Sequence, residues 1–181
     1  MPHSLDNTLT LLERTPAALD ALLRGLPDAW VRRDEGEGTW TARDVVAHLA
    51  QLEESDWMPR VRRVLKHGEG RAFDPVDRRA FVRTARGKSL TQLLARFARL
   101  RKKNLKELRA LGLRRSDFRR RGLHPALGVV TLGELVAAWA AHDLTHLHQI
   151  ARVLAYQYRE DVGAWDRYLG VLQCRGHSAS A

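Results

Sequence analysis

Apolar residues recur at helical spacing through most of the chain. In the first segment, TLTLLERTPAALDALLRGLP, the apolar positions are Leu11, Leu12, Leu19, Leu22 and Leu23. Side chains three or four residues apart share one side of an α-helix, so this pattern predicts an amphipathic helix. Pro16 is typical of a helix start, with Thr15 as its cap. We therefore expect a first helix that is broken at this point and ends near residues 25–27.

The second segment, TWTARDVVAHLAQLEESDWMPRVRRVLKH, begins with Thr41 and Asp44 in a pattern typical of a capping box. Its apolar positions again follow a helical period: Val45, Leu49, Leu52, Val61, Val64 and Leu65. Pro59 lies inside this pattern and predicts a kink or a break.

Two further long helices are predicted at residues 89–111 and 131–158, and Glu134 completes a Thr-x-x-Glu capping box in the second of them. A short fifth helix is predicted from Asp161 through AWDRYLGVL. LGVVT is the best strand candidate and is too short to predict a strand. The predicted fold is all-α: a four-helix bundle plus a short C-terminal helix, in a single domain spanning residues 1–181.

The connections at residues 68–88 and 112–130 are longer than tight helical hairpins need. A long crossover lets the third helix run parallel to the second, and the fourth can then lie antiparallel to the second. With a rise of about 1.5 Å per residue, His48 and His146 can reach the same level of such a bundle. The topology therefore permits a histidine cluster between the second and fourth helices.

The segment AHDLTHLHQIARVL places His142 and His146 four residues apart, on one face of a helix. Two imidazoles in this arrangement can chelate one metal ion. His48 lies on the inward side of its own helix, beside Val45, Leu49 and Leu52. The alternative is a set of ordinary core histidines, each of which would need its own hydrogen-bond partner. Three inward histidines on two helices favour a shared metal.

Two stretches, GTWTARDVVAHLAQLEE and TLGELVAAWAAHDLTHLHQIARVL, resemble the DinB/YfiT-like superfamily of metalloenzymes. The resemblance extends over most of the chain. It implies a four-helix bundle with crossover connections and a homodimer. It also implies a divalent-metal site with one histidine from the second helix and an H-x-x-x-H pair from the fourth. Carried over, the metal ligands are His48, His142 and His146.

Some members of this superfamily transfer thiol cofactors such as bacillithiol. The resemblance therefore implies a thiol-cofactor S-transferase or a hydrolase, with a small-molecule substrate that includes a low-molecular-weight thiol in the first case. Three nitrogen ligands leave open positions where water or a thiol can bind. Imidazole ligands suit zinc, nickel or iron, so the ligand set does not identify the metal. The alternative is a non-catalytic, stress-related binding protein with a basic face.

The residues near the predicted metal ligands can have several roles. Asp143 follows His142 directly, as the glutamate follows histidine in H-E-x-x-H, so it is a candidate catalytic base, an orienting residue or an exposed helix charge. His148 lies on a different face from the pair and is not expected to be a ligand. Cys174, the single cysteine, is far from the ligands in sequence and is a poor nucleophile candidate.

Three more polar or amphipathic side chains lie near the histidines in sequence. Glu53 and Asp56 follow His48 by one to two helical turns and are candidates to line a pocket, although we expect solvated charges in EESD. Trp139 precedes His142 by one turn, and we expect it to pack in the core.

Charge is distributed unevenly along the chain, whose net charge is +10. Residues 60–121 hold 22 basic and 5 acidic residues. We rank a solvated basic surface first, attraction of an anionic small molecule second and a nucleic-acid-binding face third. No interleaved aromatic platform or DNA-binding motif supports the third, so nucleic acid is an unlikely partner.

No run of about eighteen apolar residues predicts a membrane span, and the N-terminal residues do not have the pattern of a secretory signal. We therefore expect a cytoplasmic protein that does not associate with a membrane. The single cysteine excludes an internal disulfide framework.

Overall fold

The computed structural model describes residues 4–77 and 79–174, which are mainly helical. The helices and strands are, in chain order, α1 (Leu5–Leu23), α2 (Asp28–Val31), α3 (Ala42–Ser55), α4 (Trp57–His67), α5 (Ala80–Ala85), α6 (Leu90–Ala110), β1 (Arg121–His124), β2 (Gly128–Thr131), α7 (Leu132–Tyr156) and α8 (Gly170–Gln173). Short 3₁₀ helices lie at Gly68–Gly70, Asp117–Arg119 and Gly163–Tyr168. The predicted four-helix bundle is confirmed, and α1, α3, α6 and α7 form it.

Local capping fixes where three of the long helices begin. Each of α3, α6 and α7 starts with a reciprocal capping box, and the pairs are Thr41 with Asp44, Ser89 with Gln92 and Thr131 with Glu134. In each pair, the first side chain accepts from a backbone N–H of the first turn, and the second accepts from the backbone N–H of the cap. The predicted starts of these helices are confirmed.

The predicted break of the first helix at Pro16 is wrong, because α1 continues through this residue. A proline inside a helix leaves the carbonyl of the residue four positions earlier without its N–H partner. That carbonyl belongs to Leu12, and Nη1 of Arg101 on α6 donates to it at 2.8 Å. A long-range contact therefore satisfies the group that the proline leaves open.

The predicted interruption near Pro59 is confirmed. Asp56, with φ −121° and ψ −69°, separates α3 from α4. Pro59 then falls in the first turn of α4, where backbone N–H groups have no partner within the helix. The proline is therefore tolerated there without loss of a hydrogen bond.

The predicted topology is also confirmed. Arg101 on α6 contacts Glu53 on α3, and Glu107, further along α6, contacts Arg62 on α4. From the first of these contacts to the second, the residue number rises on α6 and also from α3 to α4, so α6 runs parallel to α3 and α4. In contrast, Glu53 contacts Trp139 while the earlier residue His48 contacts the later residue His142, so α7 runs antiparallel to α3.

A two-stranded antiparallel hairpin forms between β1 and β2 and corrects the expectation of no strand. The LGVVT segment supplies β2, and its partner is too short to show a recognisable alternation. Tertiary contacts support the hairpin: the backbone N–H of Phe73 donates to the carbonyl of Leu123 at 2.8 Å. A Cβ on Gly122 would lie 2.7 Å from Val64 Cγ2, so only glycine allows this close packing on α4.

The predicted short C-terminal helix is confirmed only in part. A 3₁₀ helix (Gly163–Tyr168) and then α8 (Gly170–Gln173) replace one continuous helix. Leu169, with φ −99° and ψ 81°, interrupts the helical conformation between them. None of the described helices combines the length and the apolar character that crossing a bilayer requires.

The core has two apolar clusters separated by a polar layer. One cluster contains the N-terminal half of α1, α4 and the first part of α7. The other contains the C-terminal half of α1, most of α3, α5 and the first part of α6. Buried polar side chains occupy the level between them: His48, Glu53, Arg101, Asn104, Asp143, His146 and Gln149. The candidate site lies in this layer.

Candidate metal centre

Three histidine side chains from α3 and α7 converge at the centre of the bundle. His142 Nε2 lies 3.3 Å from His48 Nε2 and 3.0 Å from His146 Nε2. One nitrogen from each residue lies within 4.8 Å of the other two, an arrangement that could hold a metal ion. His48 and His146 are buried and His142 is partly exposed, so the cluster reaches solvent on the side of His142.

The hydrogen positions around this cluster suit a cation. His146 Nδ1 and Gln149 Oε1 lie 2.7 Å apart. Because the amide oxygen can only accept, His146 Nδ1 carries the hydrogen and its Nε2 is a free acceptor. A hydrogen on His142 Nε2 could point at only one of its two neighbours at a time. A cation between the three nitrogens satisfies all three lone pairs together, so the residues fit a bound metal.

Burial keeps the three imidazoles neutral at physiological pH. It lowers the pKa of His48 to about 3, with His146 as a further cause. It lowers the pKa of His142 to about 2, with smaller effects from the other two histidines and Arg101. The pKa of His146 is also lowered, mainly by burial. Neutral imidazole is the form that binds metals.

Acid should destabilise the metal-free protein through these histidines. An unfolded histidine has a pKa of about 6.5, and the folded values of His48 and His142 lie far below it. Below about pH 6.5 the unfolded chain therefore binds protons that the folded chain does not, and the free energy of unfolding falls with pH. Urea unfolding of chelator-treated protein at about pH 7.5 and about pH 5.5 measures this loss.

His142→Gln should reduce that pH dependence, because it removes one of the titrating groups. His148→Gln is the matched control, since His148 is exposed. An equal dependence in wild type and His142→Gln would contradict the assignment.

Aromatic rings surround the histidines. The Trp40 ring lies nearly parallel to His146, with centroids 6.2 Å apart, and its centroid is 4.9 Å from that of His48. Trp57 meets His142 edge to face at 5.2 Å. Phe81 packs against Trp40 at 4.5 Å. These rings exclude water from the sides of the cluster, which strengthens any electrostatic interaction inside it.

Gln149 is a site residue that the sequence interpretation missed. It lies three residues after His146, so the helical spacing was a signal that could have indicated it. Its Oε1 fixes the tautomer of His146, as the outer partners of metal-bound histidines commonly do.

Gln149→Leu should therefore weaken metal binding by about 10- to 100-fold, because His146 loses the partner that orients it. Competition with a chromophoric chelator measures the affinity. Gln157→Leu is a suitable control, since Gln157 bonds to the Trp30 carbonyl at the end of α7 and not to a histidine. Equal affinities of the Gln149→Leu variant and wild type would show that this contact does not support the site.

Asp143 is 1% exposed, so its interpretation as an exposed helix charge is wrong. Its two carboxylate oxygens accept from Nη1 and Nη2 of Arg101 at 2.6 Å and 2.9 Å. Both oxygens are thus engaged in an ion pair. The role of Asp143 as a catalytic base stays a prediction, and the ion pair favours an orienting role instead.

Glu53 and Asp56 are also buried, which corrects the expectation of solvated charges. Glu53 accepts hydrogen bonds from Arg101, Asn104 and Trp139. Burial raises its pKa, and the charge of Arg101 counteracts this effect. Asp56 pairs with Arg60 at 2.7 Å, while burial raises its pKa to about 6. The sequence could not show these partners, because most of them come from other helices.

The structure also shows the surroundings of Trp139, His148 and Cys174. Trp139 is 1% exposed and packs in the core as predicted. His148 is exposed and is not part of the cluster. Cys174 is partly buried and interacts with Arg152, whose pKa is raised mainly by its hydrogen bond with Glu35 and to a smaller extent by Cys174.

The basic segment of residues 60–121 combines paired and unpaired charges. Among its described residues, nine arginines form ion pairs with acidic residues: Arg60 with Asp56, Arg62 with Glu107, Arg63 with Asp74, Arg83 with Asp77, Arg96 with Glu54, Arg101 with Glu53 and Asp143, Arg109 with Glu13, Arg120 with Asp117 and Arg121 with Glu69. Lys102, Lys103 and Lys106 are exposed on α6. Part of the excess charge is thus neutralised within the described chain.

Fold and site together define a class: a four-helix bundle whose centre holds a three-histidine cluster able to bind a metal. The DinB superfamily matches residues 11–150, so the chain belongs to the DinB superfamily. This confirms the resemblance drawn from the two histidine segments.

Among solved structures, the chain is similar to YfiT from Bacillus subtilis, described as "a probable metal-dependent hydrolase with an unusual four-helix bundle topology". The TM-score is 0.73 at 22% identity, and the match covers 89% of each chain. At this identity the likeness shows the fold alone. No curated protein matches the chain.

Proposed function

We propose that the protein is a metal-dependent hydrolase whose divalent ion is held by His48, His142 and His146. The observation that carries the proposal is the convergence of three histidine nitrogens, one from each residue, within 4.8 Å of one another in a buried layer. The likeness to YfiT, described as a probable metal-dependent hydrolase, favours hydrolysis over other reactions. Zinc, nickel and iron all suit this ligand set.

A divalent ion on three neutral imidazoles keeps its full charge available to polarise a substrate and to lower the pKa of water. The residues of the chain then have separate tasks. Gln149 holds the proton on His146 Nδ1, which directs the Nε2 lone pair at the site. Trp40 and Trp57 shield the cluster from water on two sides. A substrate reaches the site past the partly exposed His142.

The nucleophile comes from outside the chain in this proposal. Both carboxylate oxygens of Asp143 accept hydrogen bonds from Arg101. Cys174 interacts with Arg152 on the last turns of α7. Water as the nucleophile gives hydrolysis. A low-molecular-weight thiol such as bacillithiol would give S-transfer at the same site, and this is the second candidate reaction. Two expectations accompany the proposal: a homodimer, which the resemblance implies, and a cytoplasmic location, which the sequence pattern predicts.

The test is a panel of ester and amide substrates, alongside low-molecular-weight thiols offered with an electrophilic acceptor. Metal-loaded protein should turn over members of one group, and chelated protein should not. Cys174→Ser should keep the activity, because the thiol of Cys174 is not the nucleophile in this proposal. Activity that survives chelation or is lost in Cys174→Ser would overturn the mechanism.

The alternative function is a binding protein that uses its basic face for anions. The exposed lysines Lys102, Lys103 and Lys106 on α6 favour it. Absence of turnover across the panel by metal-loaded protein, together with salt-sensitive binding of an anionic ligand, would favour this alternative.

A further inference from the structure

A buried cluster of charges lies in the same polar layer as the histidines. Arg101 on α6 forms ion pairs with Glu53 on α3 and Asp143 on α7, at 2.8 Å and 2.6 Å. The three side chains are 2% exposed or less. Two carboxylates thus share one guanidinium, out of contact with solvent.

The described hydrogen-bond partners of both carboxylates are N–H donors, the arrangement that suits an ionised carboxylate. Glu53 Oε1 accepts from Nε and Nη2 of Arg101 and from Nε1 of Trp139, and its Oε2 accepts from Nδ2 of Asn104. A protonated carboxyl would need an acceptor for its O–H, and each of these partners is an N–H donor. Both oxygens of Asp143 also accept from the guanidinium. The cluster therefore carries a net charge of −1.

An uncompensated buried charge is unfavourable unless an opposite charge lies near it. Asp143 directly follows His142 and lies three residues before His146 on α7, a spacing at which side chains are neighbours on a helix. The three histidines themselves are neutral. The space between their nitrogens, next to Asp143 along α7, is a place where a positive charge can be held.

We propose that the Glu53–Arg101–Asp143 cluster is the counter-charge of the cation site, so that its excess negative charge sets the affinity of the histidines for a divalent ion. Arg101 limits this charge to −1 and holds Asp143 beside His142. The residues are positioning residues and do not contact the substrate. This inference rests on the proposed metal site.

A purely structural role is the competing explanation. Arg101 joins α3, α6 and α7, and it also donates to the Leu12 carbonyl that Pro16 leaves open. On that explanation, any change in the cluster would weaken metal binding only as far as it destabilises the fold. Variants that separate charge from geometry can distinguish the two roles.

Asp143→Asn removes one negative charge, whereas Arg101→Lys keeps the charge and removes the paired hydrogen bonds. Zn²⁺ affinity is measured by competition with a chromophoric chelator, and stability by urea unfolding of the zinc-free protein. Asp143→Asn should weaken Zn²⁺ binding at least about tenfold, since a buried charge acts strongly on a nearby dication. Arg101→Lys should lower the unfolding midpoint while the Zn²⁺ affinity stays within about threefold.

Glu53→Gln removes the same charge from α3 and serves as the second variant if Asp143→Asn does not fold. Glu35→Gln is the matched control: Glu35 forms an ion pair at 2.5 Å with Arg152 on α7, and both side chains are largely buried. Its Zn²⁺ affinity should equal that of wild type.

Three results would overturn the inference. Equal weakening of Zn²⁺ binding by Arg101→Lys and Asp143→Asn would assign the cluster a structural role. If Asp143→Asn or folded Glu53→Gln binds Zn²⁺ with wild-type affinity, the counter-charge role is refuted and the proposed metal site is unaffected. If the wild-type protein does not bind Zn²⁺, both the proposed metal site and the counter-charge role are refuted.

Discussion

Replacing His142 and His146 together by alanine is expected to reduce the metal content from about one divalent ion per chain to below about a tenth of that. The two imidazoles lie one above the other on α7, and their Nε2 atoms are 3.0 Å apart. Their removal leaves His48 as a single nitrogen ligand, which cannot chelate an ion. Elemental analysis by plasma mass spectrometry after gel filtration measures the content directly.

His148→Ala is the matched control for this change. His148 lies on the same helix, two residues after His146, but it is exposed and does not belong to the cluster. Its metal content should equal that of wild type. Unchanged metal content in the double variant would refute the site, and with it the proposed hydrolase.

Arg101→Leu is expected to lower the free energy of unfolding by about 3–5 kcal/mol, which is typical when one partner of a buried ion pair is removed. The substitution leaves Glu53 and Asp143 buried side by side with no cation between them. It also leaves the Leu12 carbonyl without its donor inside α1. Urea unfolding of the chelator-treated protein, followed by circular dichroism, measures the change.

Arg109→Leu provides the comparison on the same helix. Arg109 pairs with Glu13 at 2.6 Å, but the two side chains are 47% and 49% exposed. Exposed ion pairs contribute little, so this variant should lose less than about 1 kcal/mol. Similar losses in the two variants would show that the buried network is not a main source of stability.

The two predictions concern one polar layer with two roles. The histidines form the side of the layer that reaches solvent, and the ion pairs around Arg101 form the side that joins the helices. Asp143 and His142 are adjacent in sequence, so the two sides of the layer meet on α7. The single and paired variants above are therefore best measured for both metal affinity and stability.

The sequence by itself determined the features that depend on neighbours within a few residues. The capping boxes at Thr41 and Thr131 act over three residues, so the starts of α3 and α7 were predictable. The alignment of His142 with His146 follows from the helical period alone. The long connections also permitted a topology in which His48 reaches the same level.

Only the tertiary structure decided which polar groups are buried and what satisfies them. Pro16 predicts a broken helix locally, but a donor from residue 101 on α6 allows α1 to continue. Glu53 looks like a solvated charge in EESD, yet its partners lie 48 and 86 residues further along the chain. Periodicity indicates which face of a helix is apolar, but it carries no information about which distant side chain will meet a charge. The histidine cluster was predictable because two of its members lie about one helical turn apart on α7, whereas the ion pairs around Arg101 formed only when three helices packed together.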